Sequence, residues 1–119
     1  MIQRVLVVNR RAPLACGRAR ASLDFLLAGA AMDLRMGVLF MDDGVYQLLA
    51  GQDLSAQGEP DFSRSFRVLP DYDVESVFVD AESLRQRGID ASQLLLDVDT
   101  VESDGIRDLF ADYDWVVQF

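Results

Sequence analysis

The sequence predicts an α/β domain in which a mostly parallel sheet carries helices on both faces. Three observations point to it. Short aliphatic runs alternate with segments of helical periodicity along the chain. The runs are contiguous, as in Val5-Leu6-Val7-Val8, which is the pattern of strands covered on both sides. The chain has 119 residues, half of them hydrophobic. That suits one domain, which at this length buries roughly two-thirds of the surface its unfolded form exposes.

The elements follow in order. Ile2 to Val8 reads as the first strand. Gly17 to Leu34 reads as a helix with Ala19, Leu23, Leu26, Leu27, Ala30 and Leu34 on its core face. Gly37 to Met41 is a second strand, and Asp43 to Leu49 a short helix for which Asp42 or Asp43 is a natural N-cap. Gly51 to Pro60 is a polar loop, followed by a helix over Asp61 to Leu69 with Phe62, Phe66 and Leu69 on one face. Ser76 to Val79 is a third strand. Glu82 to Arg87 is a helix stopped by Gly88, with Arg85 and Arg87 in the last turn where cations suit the dipole. Leu94 to Val98 is a candidate strand. Ser103 to Tyr113 is a helix with a stripe of Ile106, Leu109, Phe110 and Tyr113, and Trp115 to Phe119 is a closing strand. No composition shift marks a boundary, so residues 1–119 form one domain.

Composition excludes several chemistries. There is no histidine and, among 11 basic residues, no lysine. A Ser-His-Asp or Cys-His nucleophile, a His-ligated metal, a P-loop and a Schiff base are all ruled out. One cysteine excludes an internal disulfide and a Cys-cluster metal site. A formal charge of −9 repels phosphate backbones, so direct nucleic-acid binding is not expected. No cofactor is expected, since no GxGxxG follows the first strand. No secretory signal or membrane span is read, and the longest apolar-plus-glycine stretch, Phe25 to Met32, is too short to cross a bilayer. A cytoplasmic location is expected.

A few residues stand out. Opposite the core face of the first helix runs a second apolar line, Ala21, Phe25, Ala28 and Met32. Phe and Met on one stripe have the composition of a partner interface more than of scattered surface apolars. Cys16 precedes a helix start with Arg18 and Arg20 nearby, a setting that lowers a thiol pKa, but it has no partner base. Asp42 and Asp43 follow a strand end, where an acidic pair can hold magnesium. Capping fits them better because further ligands and a lysine are missing. Asp97, Asp99, Glu102 and Asp104 read as a solvated helix start that complements the dipole.

The phrases MDDGVYQLLAGQ (Met41 to Gln52), VDAESLRQRGID (Val79 to Asp90), DYDWVVQF (Asp112 to Phe119) and GRARASLDFLLAGA (Gly17 to Ala30) resemble the DsrE/DsrF/DsrH sulfur-relay family, in particular its DsrF/TusC-like subunits. The resemblance implies a three-layer α/β/α fold with a parallel five-stranded sheet. It also implies assembly with DsrE/TusD-like and DsrH/TusB-like paralogues as a dimer of heterotrimers. Such complexes pass persulfide sulfur for tRNA 2-thiouridine formation or dissimilatory sulfur oxidation. The resemblance implies that the carrier cysteine of the paralogue lies after a central strand, at a place that falls on Asp80 or within a residue of it here. A carboxylate cannot carry sulfane sulfur and opposes an approaching thiolate. The resemblance therefore implies a non-catalytic docking subunit, and no family role transfers to Cys16. The alternatives are a sulfur-accepting subunit that uses Cys16, or a stand-alone α/β ligand-binding protein.

Overall fold

A computed structural model of the chain describes residues 3–12, 18–49, 74, 76–94 and 97–119, with the backbone alone at 18–20. Among these, five strands form one sheet: β1 (Arg4–Asn9), β2 (Arg35–Phe40), β3 (Ser76–Asp80), β4 (Asp99–Val101) and β5 (Trp115–Gln118). Their spatial order is β4-β3-β2-β1-β5 and every adjacent pair is parallel. Helices α1 (Arg18–Ala31), α2 (Ala81–Gln86) and α3 (Ser103–Asp112) and a 3₁₀ helix at Asp42–Leu48 supply the crossovers that parallel strands need.

The contiguous aliphatic runs are explained by two cores. Val5 and Val7 of β1, Val38 and Phe40 of β2, and Val77 and Val79 of β3 face one side, where they meet Leu23 and Leu26 of α1 and Leu84 of α2. Leu6, Val8 and Leu39 face the other, against Tyr113 and the half-buried Ile106, Leu109 and Phe110 of α3. The architecture is thus the three-layer α/β/α fold that the resemblance implied, with a wholly parallel sheet among the described residues. No helix among them is long and apolar enough to cross a membrane.

Several local expectations need correction. The fourth strand of the sheet comprises Asp99–Val101, while residues 95–96 of the expected strand Leu94 to Val98 lie outside the described residues. β4 is a three-residue edge strand with exposed or half-buried side chains, so it carries no hydrophobic signature. Leu94 and Val98 pack on the α1-side core, and Leu94 makes an isolated antiparallel bridge to Leu49. The short helix after β2 is 3₁₀, and its N-cap is Met41 rather than Asp42 or Asp43. Gly88 does close α2 with a φ of 65°, the left-handed conformation glycine adopts without strain.

The acidic group also divides. Asp99 lies in β4, while Glu102 and Asp104 begin α3. Glu102 makes no cap hydrogen bond; it accepts from Arg85 at 2.8 and 3.0 Å. Arg85 also holds Glu82 at 2.8 Å and so links α2 to the start of α3. Its guanidinium keeps the Glu102 carboxyl below the usual range. All three side chains are exposed, so the triad orients the two helices more than it stabilises them. Cys16, the loop Gly51 to Pro60 and the helix expected over Asp61 to Leu69 lie outside the described residues.

Candidate functional site at the carboxyl ends of the strands

In an open parallel sheet, loops at the carboxyl ends of the strands carry the sites. Here β1 ends on Asn9, β2 leads through Met41 into Asp42, and β3 ends on Asp80. Asp80 occupies the N-cap position of α2 and is 7% exposed. Its Oδ2 accepts a hydrogen bond at 2.6 Å from the hydroxyl of Ser83, three residues on. The same hydroxyl oxygen accepts from the Asp42 backbone N–H at 2.8 Å. One serine thereby ties the end of β3 to the turn after β2.

Arginines hold the outer part of this turn. Arg10 pairs with Asp42 at 3.1 Å, and Arg87 pairs with Asp43 at 2.9 Å while donating to the Ser83 carbonyl at 3.2 Å. The carboxylates of Asp42 and Asp43 are thus directed to different arginines, which explains why neither caps the helix. It also argues against a shared magnesium ion. No group of three or more metal-ligating side chains occurs among the described residues. Asp42 adopts a φ of 51°, a left-handed conformation that aspartate tolerates better than bulkier residues.

The turn lies directly against β1. The Met41 N–H donates to the Asn9 carbonyl at 3.0 Å. A Cβ on Gly44 would collide with that carbonyl oxygen and come within 2.6 Å of its carbon. Gln47, 2% exposed, donates to the Arg11 carbonyl at 2.7 Å. Several buried polar atoms around this edge have no hydrogen-bond partner: both amide atoms of Asn9, Arg10 Nε, Gln47 Oε1 and Asp80 Oδ1. Unpaired buried groups of this kind cost about 1–3 kcal/mol each.

Chemically, the edge offers hydrogen-bond donors and acceptors, a serine hydroxyl and a buried carboxylate, with no thiol among the described residues. Asp80 holds no sulfur, and its inner oxygen accepts no bond. Ser83 was not singled out by sequence reasoning, although Asp80 three residues before it is an N-cap residue type. Asn9, Arg10 and Gln47 have no local signal, and Arg87 was read only as a helix-end cation, because parallel pairing brings them together from distant segments. Ser83→Ala should cost about 1–3 kcal/mol, since it leaves both the Asp42 N–H and Asp80 Oδ2 without this partner. Urea unfolding measures it, and Ser83→Thr, which keeps the hydroxyl, should recover part of the loss.

The second apolar line of α1 stands on the exposed side of that helix. Ala21 and Ala28 are exposed, Phe25 is 37% exposed and Met32 74%. Phe25 meets Phe119 with ring centroids 5.8 Å apart. On the neighbouring edge strand β5, Trp115 is 59% exposed. Trp115 is in register with Val5, whose side chain belongs to the α1-side core, so its ring stands on the α1 side of the sheet. Sequence reasoning read β5 as a strand and missed this exposure, which follows from its edge position.

Residues 3–119 match the DsrE/DsrF-like family. Similar proteins include the Protein TusC homolog of Pseudomonas aeruginosa, 38% identical over 117 residues that cover 98% of each chain. Protein TusC of Escherichia coli is 36% identical over 119 residues, 99% of this chain and 100% of that one. The intracellular sulfur oxidation protein DsrF of Allochromatium vinosum is 41% identical over 95 residues, 80% of this chain and 70% of that one. Among solved structures, the ychN protein from E. coli aligns over the whole of both chains with a TM-score of 0.81 at 24% identity, a likeness of fold.

Proposed function

We propose, since the chain belongs to the DsrE/DsrF-like family, that it is a non-catalytic docking subunit of a cytoplasmic sulfur-relay complex. The observation that carries the docking role is a buried carboxylate, Asp80, hydrogen-bonded to Ser83 at or within a residue of the place that the resemblance gives to the paralogue's carrier cysteine. A carboxylate there neither accepts a sulfane sulfur nor welcomes a thiolate. The sulfur would then ride on a cysteine of a DsrE/TusD-like paralogue, with a DsrH/TusB-like paralogue completing a heterotrimer that pairs into a dimer. The relay serves tRNA 2-thiouridine formation or sulfur oxidation.

The interface assigned to this role is the exposed line Ala21, Phe25, Ala28 and Met32, extended by Trp115 on the same side of the sheet. Large exposed apolar side chains gathered on one face fit a protein partner better than solvent. Co-expression with the two paralogues and mass measurement of the intact assembly tests the proposal. The expected result is a hetero-oligomer containing all three chains. A chain that stays apart from both paralogues under native conditions would contradict it.

A further inference from the structure

On the face of the sheet opposite α1, a cleft of about 360 Å³ opens between α3 and strands β3 and β4. Its lining is part apolar and part acidic: Phe78, Val101, Gly105 and Leu109 with Asp108 and Asp112. Gly105 lets the helix lie close, since a Cβ there would stand 2.8 Å from Val101 Cγ1. Asp104, Asp108 and Asp112 follow one another at intervals of four along α3, so their carboxylates share one side of the helix. Residues 97–114 hold seven of the 20 acidic residues and one arginine, which places two-thirds of the net charge of −9 in this segment.

We infer that this cleft docks an arginine-bearing, apolar-flanked segment of a partner protein. The chain itself displays the recognition chemistry at one end of the cleft. Arg4 pairs with the Asp112 carboxylate at 2.9 Å, donates to the Asp112 carbonyl at 2.9 Å, and lies 4.6 Å from the centre of the Tyr113 ring. Asp108, one helical turn earlier, has no such guanidinium against it. A second arginine from outside would do for Asp108 what Arg4 does for Asp112, and would relieve the repulsion between like charges four residues apart. The half-buried Phe78, Val101 and Leu109 require more than a cation; they call for an apolar side chain beside it. Nucleic acid is repelled by this charge. The cleft lies on the opposite face of the sheet from α1, although its Val101 pairs in register with Asp80, and the inference does not depend on the sulfur-relay reading.

The test uses the full chain and two synthetic peptides, one alternating leucine and arginine, the other alternating serine and arginine. Calorimetry gives affinities, and amide shifts locate the site. The leucine-containing peptide should bind at least roughly tenfold more tightly than the serine control. Its shifts should centre on Phe78 and residues 101–112, and Asp108→Asn should weaken it several-fold. The Asp108 side chain is exposed and makes no hydrogen bond or ion pair with the described residues, so this variant keeps the fold. Equal affinity for the two peptides, no binding, or shifts centred on the α1 line would each overturn the inference. Spermine that competes with equal affinity would also overturn it, by reassigning the cleft to a small polycation.

Discussion

Phe25→Asp in the co-expressed assembly is expected to weaken association by roughly thirtyfold or more, the effect of removing an interface anchor worth about 2 kcal/mol or above. An aspartate there would be desolvated against an apolar partner with no counter-charge in reach, which adds to the loss. Phe25 also touches Phe119, so part of any effect could arise within the chain. Met32→Asp separates the two contributions. Met32 is 74% exposed, and its replacement should leave urea unfolding of the isolated chain unchanged while still weakening association. If both variants assemble normally, the apolar line of α1 is not the interface.

Gly44→Ala should produce the largest loss of stability among conservative changes, about 3 kcal/mol, or a fall in melting temperature of roughly 10 °C. The added methyl meets the Asn9 carbonyl, which is backbone held by the β1–β2 ladder, so no flexible side chain can move aside. Gly105→Ala is the internal comparison. Its methyl meets only the end of the Val101 side chain, and alanine favours the helix, so the two effects should nearly cancel. Thermal melts of both variants decide it; a mild Gly44→Ala would mean that the turn after β2 can lift from β1.

The parts of the fold legible in the sequence are those where burial writes the pattern. Val5 to Val8 lie between two cores, and their uninterrupted aliphatic run announces it. The Leu23 and Leu26 face of α1 and the Tyr113 stripe of α3 are legible for the same reason. The three residues of β4 at the sheet edge bury too little to leave a signature, and the leucine-rich segment before them drew the assignment instead. At the site, Asp80 was legible only through resemblance, which sets it at or within a residue of the paralogue's cysteine. The Ser83 bridge to Asp42, which spans 41 residues, was beyond local reading because it depends on the register of β2 against β3.

The docking role is tested most directly by following the sulfur. The assembled complex, with this chain either wild type or Cys16→Ser, is incubated with a labelled persulfide donor, and the label is mapped by mass spectrometry as it passes to an acceptor. A docking role predicts label on a cysteine of the paralogue, none on this chain, and an unchanged transfer rate in Cys16→Ser. Label on Cys16 that chases to the acceptor, with a large loss of rate in Cys16→Ser, would contradict it and make this chain a carrier.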